Sequence, residues 1–183
     1  MKRTSILQKL SVIAGCAALI CAVDAGVSYA ATAQVTTTGI VVAPLTIAKV
    51  LDLNFGKFMS GTGAAAGTVV VGTDNAQSVT GGVTTSAALG ATAKAATFTI
   101  TGEPNATYAI TYPAQTTLTG TGGDPMTIGS FTNAVNVGSV ALGVGTLPGS
   151  GPQVLSVGAT LDVGAEQVAG SYAGTLDVAV NYN

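Results

Sequence analysis

The side chains that carry most enzyme chemistry are scarce in this chain and stand apart from one another. There is no histidine in its 183 residues. That removes the usual general base near neutral pH, the commonest metal ligand and any Ser-His-Asp arrangement. The carboxylates stand singly: Asp52 beside a strand-like run, Asp74 and Asp124 in turn sequences, Glu103 before a proline. Glycosidase chemistry needs two carboxyls flanking one bond, and no spacing here pairs them, so they read as exposed turn acids. Asp74-Asn75 and Gly122-Gly123-Asp124 offer oxygens to a calcium ion but lack the ligand density of a loop site. The glycines fall in turns and none opens a helix after a strand, so no phosphate cradle is implied. The expectation is a non-enzymatic protein with no catalytic residue, cofactor or metal site. A hydrolase is the third-ranked reading, and it requires two of these carboxylates to meet in a cleft.

Thiol chemistry depends on how the chain begins. Lys2, Arg3 and Lys9 precede a short, mostly apolar run over residues 10–23, and Ser28-Tyr29-Ala30 fits a small-x-small cleavage pattern. The run falls short of the roughly 20 apolar residues of a membrane-spanning helix. Residues 1–30 therefore read as a secretory signal, leaving 31–183 as an exported chain without a transmembrane segment, destined for the periplasm, the cell surface or the medium. A lipoprotein signal is the rival reading, since Ile13-Ala14-Gly15-Cys16 resembles a lipobox. Cleavage after Ala30 removes both cysteines, Cys16 and Cys21, and with them disulfides, thiolate catalysis and structural zinc.

The remaining charge is sparse and acidic. Lys49, Lys57 and Lys94 oppose Asp52, Asp74, Glu103, Asp124, Asp162, Glu166 and Asp177. No basic patch exists to meet a phosphate backbone, so nucleic acid is not an expected partner. Charged residues make up 8% of the chain, against about 25% in ordinary soluble domains. The surface must be built from Thr, Ser, Gly, Asn and Ala. Such a surface suits packing against copies of itself, or equally the skin of an ordinary secreted β-protein.

The elements that must position these residues are strands. Over residues 172–182, Tyr172, Gly174, Leu176, Val178, Val180 and Tyr182 share one parity, and Ala173, Thr175, Asp177, Ala179 and Asn181 the other. Successive strand residues face opposite ways, so this segment has one apolar and one mostly polar face. It must pair with its own sheet or with another molecule. Further strands are expected over residues 33–42, 47–55, 68–71, 96–101, 107–112, 116–119, 126–131, 138–142, 154–157 and 159–163, broken by Gly, Pro, Asn and Asp. The Gly102-Glu103-Pro104-Asn105 turn joins two clear alternating runs that read as a hairpin. Residues 61–67 and 85–94 are low-complexity Ala/Gly/Thr loops or weak edges. Roughly ten short strands in one domain predict an all-β, immunoglobulin-like Greek-key sandwich. A transmembrane β-barrel, the architectural rival, needs aromatic girdles and strands of about ten residues throughout.

A family resemblance rests on Ala43-Pro44-Leu45-Thr46-Ile47, Asp52-Leu53-Asn54-Phe55-Gly56, residues 96–108, Met126-Thr127-Ile128, residues 157–161 and 170–175, and Val180-Asn181-Tyr182. Together they resemble the bacterial domain of unknown function family 4402. That name carries no activity. More distantly, the early Phe-Gly and the terminal Tyr-Ala-Gly…Tyr order is similar to the spore-coat-U-like subunits of archaic chaperone–usher pili. That likeness implies an incomplete, pilin-like sandwich whose missing strand comes from the amino-terminal extension of the next subunit. It also implies a periplasmic chaperone as partner. Those subunits usually carry an early disulfide, and Pro44 stands about where its first cysteine would be.

The donor segment in that mechanism would be residues 31–43. A groove-filling strand requires alternating apolar side chains; Val35, Thr37, Gly39 and Val41 share a parity with Ala33, but that face is small and partly polar, and Ile40 and Val42 break the polarity of the other. Leu176, Val178, Val180 and Tyr182 would line the groove or pair with the chaperone. The competing reading makes residues 33–42 the first strand of a complete sandwich. Tyr172 is either a corner tyrosine bonded back to nearby backbone or an ordinary strand aromatic. Two functions from different classes follow: a structural subunit of a surface fibre or pilus-like assembly, or a self-complete monomeric module binding a glycan or an envelope protein.

Overall fold

The computed structural model describes residues 30–63, 65–90, 92–120, 122 and 124–183. The signal segment with Cys16 and Cys21, and Gly123 of the second calcium candidate, lie outside them. The chain divides into Met1–Gly39 and Ile40–Asn183. In the first unit, residues 30–39 are exposed and form no strand.

Among the described residues the second unit builds twelve strands: β1 (Thr46–Leu51), β2 (Gly67–Val71), β3 (Gln77–Gly81), β4 (Ala96–Thr101), β5 (Thr107–Thr111), β6 (Thr116–Gly120), β7 (Met126–Val135), β8 (Ser139–Ala141), β9 (Val144–Thr146), β10 (Gln153–Val163), β11 (Tyr172–Ala173) and β12 (Ala179–Tyr182). A single 3-10 turn spans Ala87–Leu89. The larger sheet has the order β1-β4-β10-β7-β6-β11, with β2 beside β10 and β3 beyond it. The smaller has the order β12-β5-β9-β8. All pairings are antiparallel. The protein is all-β with a sandwich-like arrangement, and its strand orders are open, so it is not a barrel.

Period-two patterning explains why these segments pair face to face. In β4, Ala96, Phe98 and Ile100 are buried between more exposed threonines. In β10, Gln153, Leu155, Val157, Ala159, Leu161 and Val163 are buried on one parity. β10 organises the whole: its first half pairs with β4, its second half with β2, and its other edge with β7. The core accordingly falls into two clusters. One gathers Ile100, Tyr108, Ile110, Leu147, Leu155 and Val157 between the two sheets. The other gathers Phe55, Val69, Val71, Met126, Ile128 and Leu161 around the far half of β10.

One fully buried polar residue, Gln153, sits in the first cluster. Its Oε1 accepts from the Tyr108 hydroxyl. Its Nε2 donates to Val137 O at 2.6 Å and Thr146 O at 3.0 Å. Every group of the amide is therefore used, as burial demands. Burial pushes the Tyr108 hydroxyl above its ordinary pKa. Tyr112, stacked on Phe131 with ring centroids 5.6 Å apart, is raised too, by burial first and by the nearby Tyr108 second.

Four expectations are corrected. The strand expected over 47–55 ends at Leu51, and beyond it only Asn54 makes a bridge. Residues 33–42 form no strand. An apolar parity makes a strand only where an edge pairs with it, and no ladder among the described residues includes this run. Nor do β4 and β5 form a hairpin: they belong to different sheets. The Gly102–Asn105 turn carries the chain across the sandwich, with Asn105 at φ +61°. Phe98 and Ile100 thus meet Tyr108 and Ile110 across the core instead of lying beside them. The runs at 154–157 and 159–163 are one continuous strand.

Candidate functional site

The smaller sheet covers the first cluster, and among the described residues no strand is hydrogen-bonded to the outer edge of its β12, although β1 comes into contact with it. The last segment also changes sheets. Tyr172 and Ala173 pair with β6, while residues 179–182 pair with β5. Between them, residues 174–178 belong to neither ladder. On the facing side, β1 ends at Leu51 and the chain continues as irregular backbone, held at Asn54 by a bridge to Lys94. A groove of about 780 Å³, with polar and apolar lining in nearly equal measure, lies between these two segments.

Its walls are residues 51–58 and 170–177. Its floor is the second core cluster itself, reached through Leu118, Met126, Ile128 and Leu161. A further depression of about 410 Å³ shares Phe58, Met126 and Tyr172 and continues toward Met59 and Val168. Both of those apolar side chains are 48% exposed. Charge at the rim is balanced, with Lys49 and Lys57 against Asp52 and Asp177. The Lys49–Asp52 pair, 2.6 Å apart, is mostly solvated and contributes little. An occupant would be selected by shape and backbone pairing, not by charge.

The groove wall is set by particular contacts. The Tyr172 hydroxyl donates to Val168 O at 2.9 Å and accepts from Gln167 Nε2 at 3.0 Å. It is thus bonded back to backbone four residues upstream, as in the corner-tyrosine reading. Gly174 lets the segment lie against β6, because a Cβ there would stand 2.2 Å from Thr117 O. The Thr116 hydroxyl donates to Thr175 O at 2.7 Å.

The open edge of β12 has a definite pattern. Asn183 N donates to Thr107 O at 3.3 Å, and Tyr182 stands opposite Tyr108. Antiparallel ladders alternate, so Asn181 and Asn183 direct their backbone groups at β5. Val180 and Tyr182 direct theirs at the unoccupied edge. The side chains of the same two residues face the first core cluster.

Residues 45–182 match DUF4402, a domain of unknown function. The chain belongs to the DUF4402 family. No curated protein and no solved structure gives a match.

Within this DUF4402 domain, the structure brings Leu176, Val178, Val180 and Tyr182 together against the first cluster. Leu176 also lines the groove. Val35 and Val41 are 82% and 98% exposed, and Thr37 and Gly39 are exposed as well. Sequence reasoning missed the opposite wall, chiefly Leu53 and Phe58. The early Phe55-Gly56 pair was the available signal: Phe55 is buried and Gly56 turns at φ +76°. The calcium candidate Asp74-Asn75 serves a turn, with Asp74 Oδ1 accepting from Ala76 N and Asn75 Oδ1 from Ala95 N. Among the described residues no three metal-ligating side chains cluster, and no helix is long and apolar enough to cross a membrane.

Proposed function

We propose that this DUF4402 chain is an exported, non-enzymatic subunit of a bacterial surface fibre, and that its groove accepts residues 33–42 of a second copy as an added strand. One observation carries the reading: among the described residues no strand is hydrogen-bonded to the outer edge of β12, and a groove opens beside the segment that leads into it. An immunoglobulin-type sandwich places strands A-B-E-D in one sheet and C-F-G in the other. The order β1-β4-β10-β7 corresponds to the first set, and β5-β12 to C-F. Tyr172 then takes the place of the tyrosine at the E–F corner. Strand G, beside F, is the one without a counterpart.

The occupant is argued from the same chain. Ile40, Val41 and Val42 are exposed and form no strand, and Val35 and Val41 share a parity. Strand addition supplies main-chain bonds for affinity and alternate side chains for specificity. Before assembly, a periplasmic chaperone would occupy the same edge.

The test is the molar mass of the chain from Ala31, by light scattering across concentration, with and without residues 31–42. Polymers that require the arm support the fibre. A folded monomer at every concentration refutes it and favours the self-complete binding module.

A further inference from the structure

Resting on the fibre reading, we infer that Glu103 and Tyr182 clasp Ala43, fixing the root of the arm so that it enters a neighbour's groove and not its own. Ala43 N donates to Glu103 Oε2 at 3.0 Å. Ala43 O accepts from the Tyr182 hydroxyl at 2.8 Å. The same hydroxyl accepts from Glu103 N at 2.6 Å. Both backbone groups of one residue are thereby held by side chains 60 and 139 positions away. Room for the hydroxyl comes from Gly102, where a Cβ would stand 2.4 Å from Tyr182 Oη. Pro44 follows, with φ fixed by its ring, and it biases Ala43 toward extended backbone. The root is thus held at both backbone groups of Ala43 and at the φ of Pro44.

Its place in the fold gives this restraint a purpose. Ala43 lies where β1 begins and β12 ends. The groove lies where β1 ends and residues 170–177 approach β12. Root and groove therefore stand at opposite ends of the same two segments. To fill its own groove, the arm would have to reverse at Ala43-Pro44 and run parallel to residues 170–182. Reversal would redirect both clasped groups of Ala43, and parallel pairing is the weaker kind. An arm arriving from another copy meets neither constraint. Ile40 and Val41, just before the root, are 91% and 98% exposed, so the chain does not turn back there.

The test compares Glu103→Ala, Glu103→Gln and Tyr182→Phe with the unaltered chain from Ala31, refolded at matched concentration. Polymer and monomer are measured by light scattering, and protection of the arm by limited proteolysis. Losing one clasp bond should raise an arm-protected, non-polymerising monomer by about two- to tenfold in Glu103→Ala and Tyr182→Phe, the worth of such a bond. Glu103→Gln keeps an acceptor for Ala43 N–H and should polymerise as the unaltered chain does. Variants that polymerise unchanged, or that melt earlier without yielding the protected monomer, overturn the clasp. Val41→Ser and Ile40→Ser, run alongside, separate the two readings. If Val41→Ser and Ile40→Ser both leave polymers intact, or if the unaltered chain forms none, the fibre reading fails and the clasp with it. If only the clasp variants behave as wild type, the clasp alone fails.

Discussion

Parity within the arm offers the sharpest test of strand addition. Val41 and Ile40 are neighbours, both almost wholly exposed, yet in a docked strand they point to opposite faces. Val41 shares its face with Val35 and Gly39, so it should enter the groove while Ile40 faces solvent. Burying a valine side chain is worth about 1.5–3 kcal/mol. Because Val41 begins almost fully exposed, nearly all of that is available on docking. Val41→Ser should weaken subunit association by roughly 10- to 150-fold, since each 1.4 kcal/mol is tenfold. Ile40→Ser should change it by less than about threefold, within the ±0.5 kcal/mol of an exposed site. Sedimentation velocity on the chain from Ala31, over a concentration series, reads both. A larger effect at Ile40 would mean that the strand docks one residue out of register. Equal effects, or none, would refute docking through one face of this segment.

Other outcomes follow from the core and the groove wall. Tyr108→Phe strips Gln153 Oε1 of its donor inside the core and should cost about 1–3 kcal/mol, lowering the melting temperature by roughly 2–10 °C. Gly174→Ala forces a Cβ against Thr117 O and should destabilise by about 1–3 kcal/mol, read by denaturant unfolding. Alkaline pH should destabilise the fold. Unfolded tyrosines ionise near pH 10 while buried Tyr108 holds its proton. Its contribution is complete below that pH and is lost above it, at about 1.4 kcal/mol per pH unit. Tyr108→Phe should reduce that alkaline slope by about one proton, measured by urea midpoints from pH 9 to 11. Tyr172→Phe removes the hydroxyl bonded to Val168 O and Gln167, with an expected loss of about 1 kcal/mol by the same urea assay.

Alternation made most of the strands legible, because burial on one parity is a local property. Residues 96–101 and 107–112 show it, and so do residues 172–182, whose exposed and part-buried residues alternate almost without exception. Pairing was less legible, because it is settled by distant partners. The turn at residues 102–105 looks alike whether it closes a hairpin or crosses between sheets. Only the facing of Phe98 and Ile100 against Tyr108 and Ile110 decides it. β3 escaped notice because Gln77, Ser78 and Thr80 mask its pattern beside Val79. β9 is only three residues long. One wall of the groove, residues 170–177, was legible in part through the alternation that begins at Tyr172. The other wall, residues 51–58, overlaps the strand expected over 47–55, but the ladder ends at Leu51 and the rest is shaped by bridges at Asn54 and Met59.

The sheet change in the terminal segment has a mechanical consequence. Residues 172–173 are sewn to β6 and residues 179–182 to β5, so this one stretch of chain ties both layers of the sandwich together. A strand laid along its open edge would be anchored to both layers at once. Tension along such a fibre would run lengthwise through the added strand, at right angles to hydrogen bonds that lie across it. The bonds would then share the force in shear and give way together, where a peeled strand would lose them one after another.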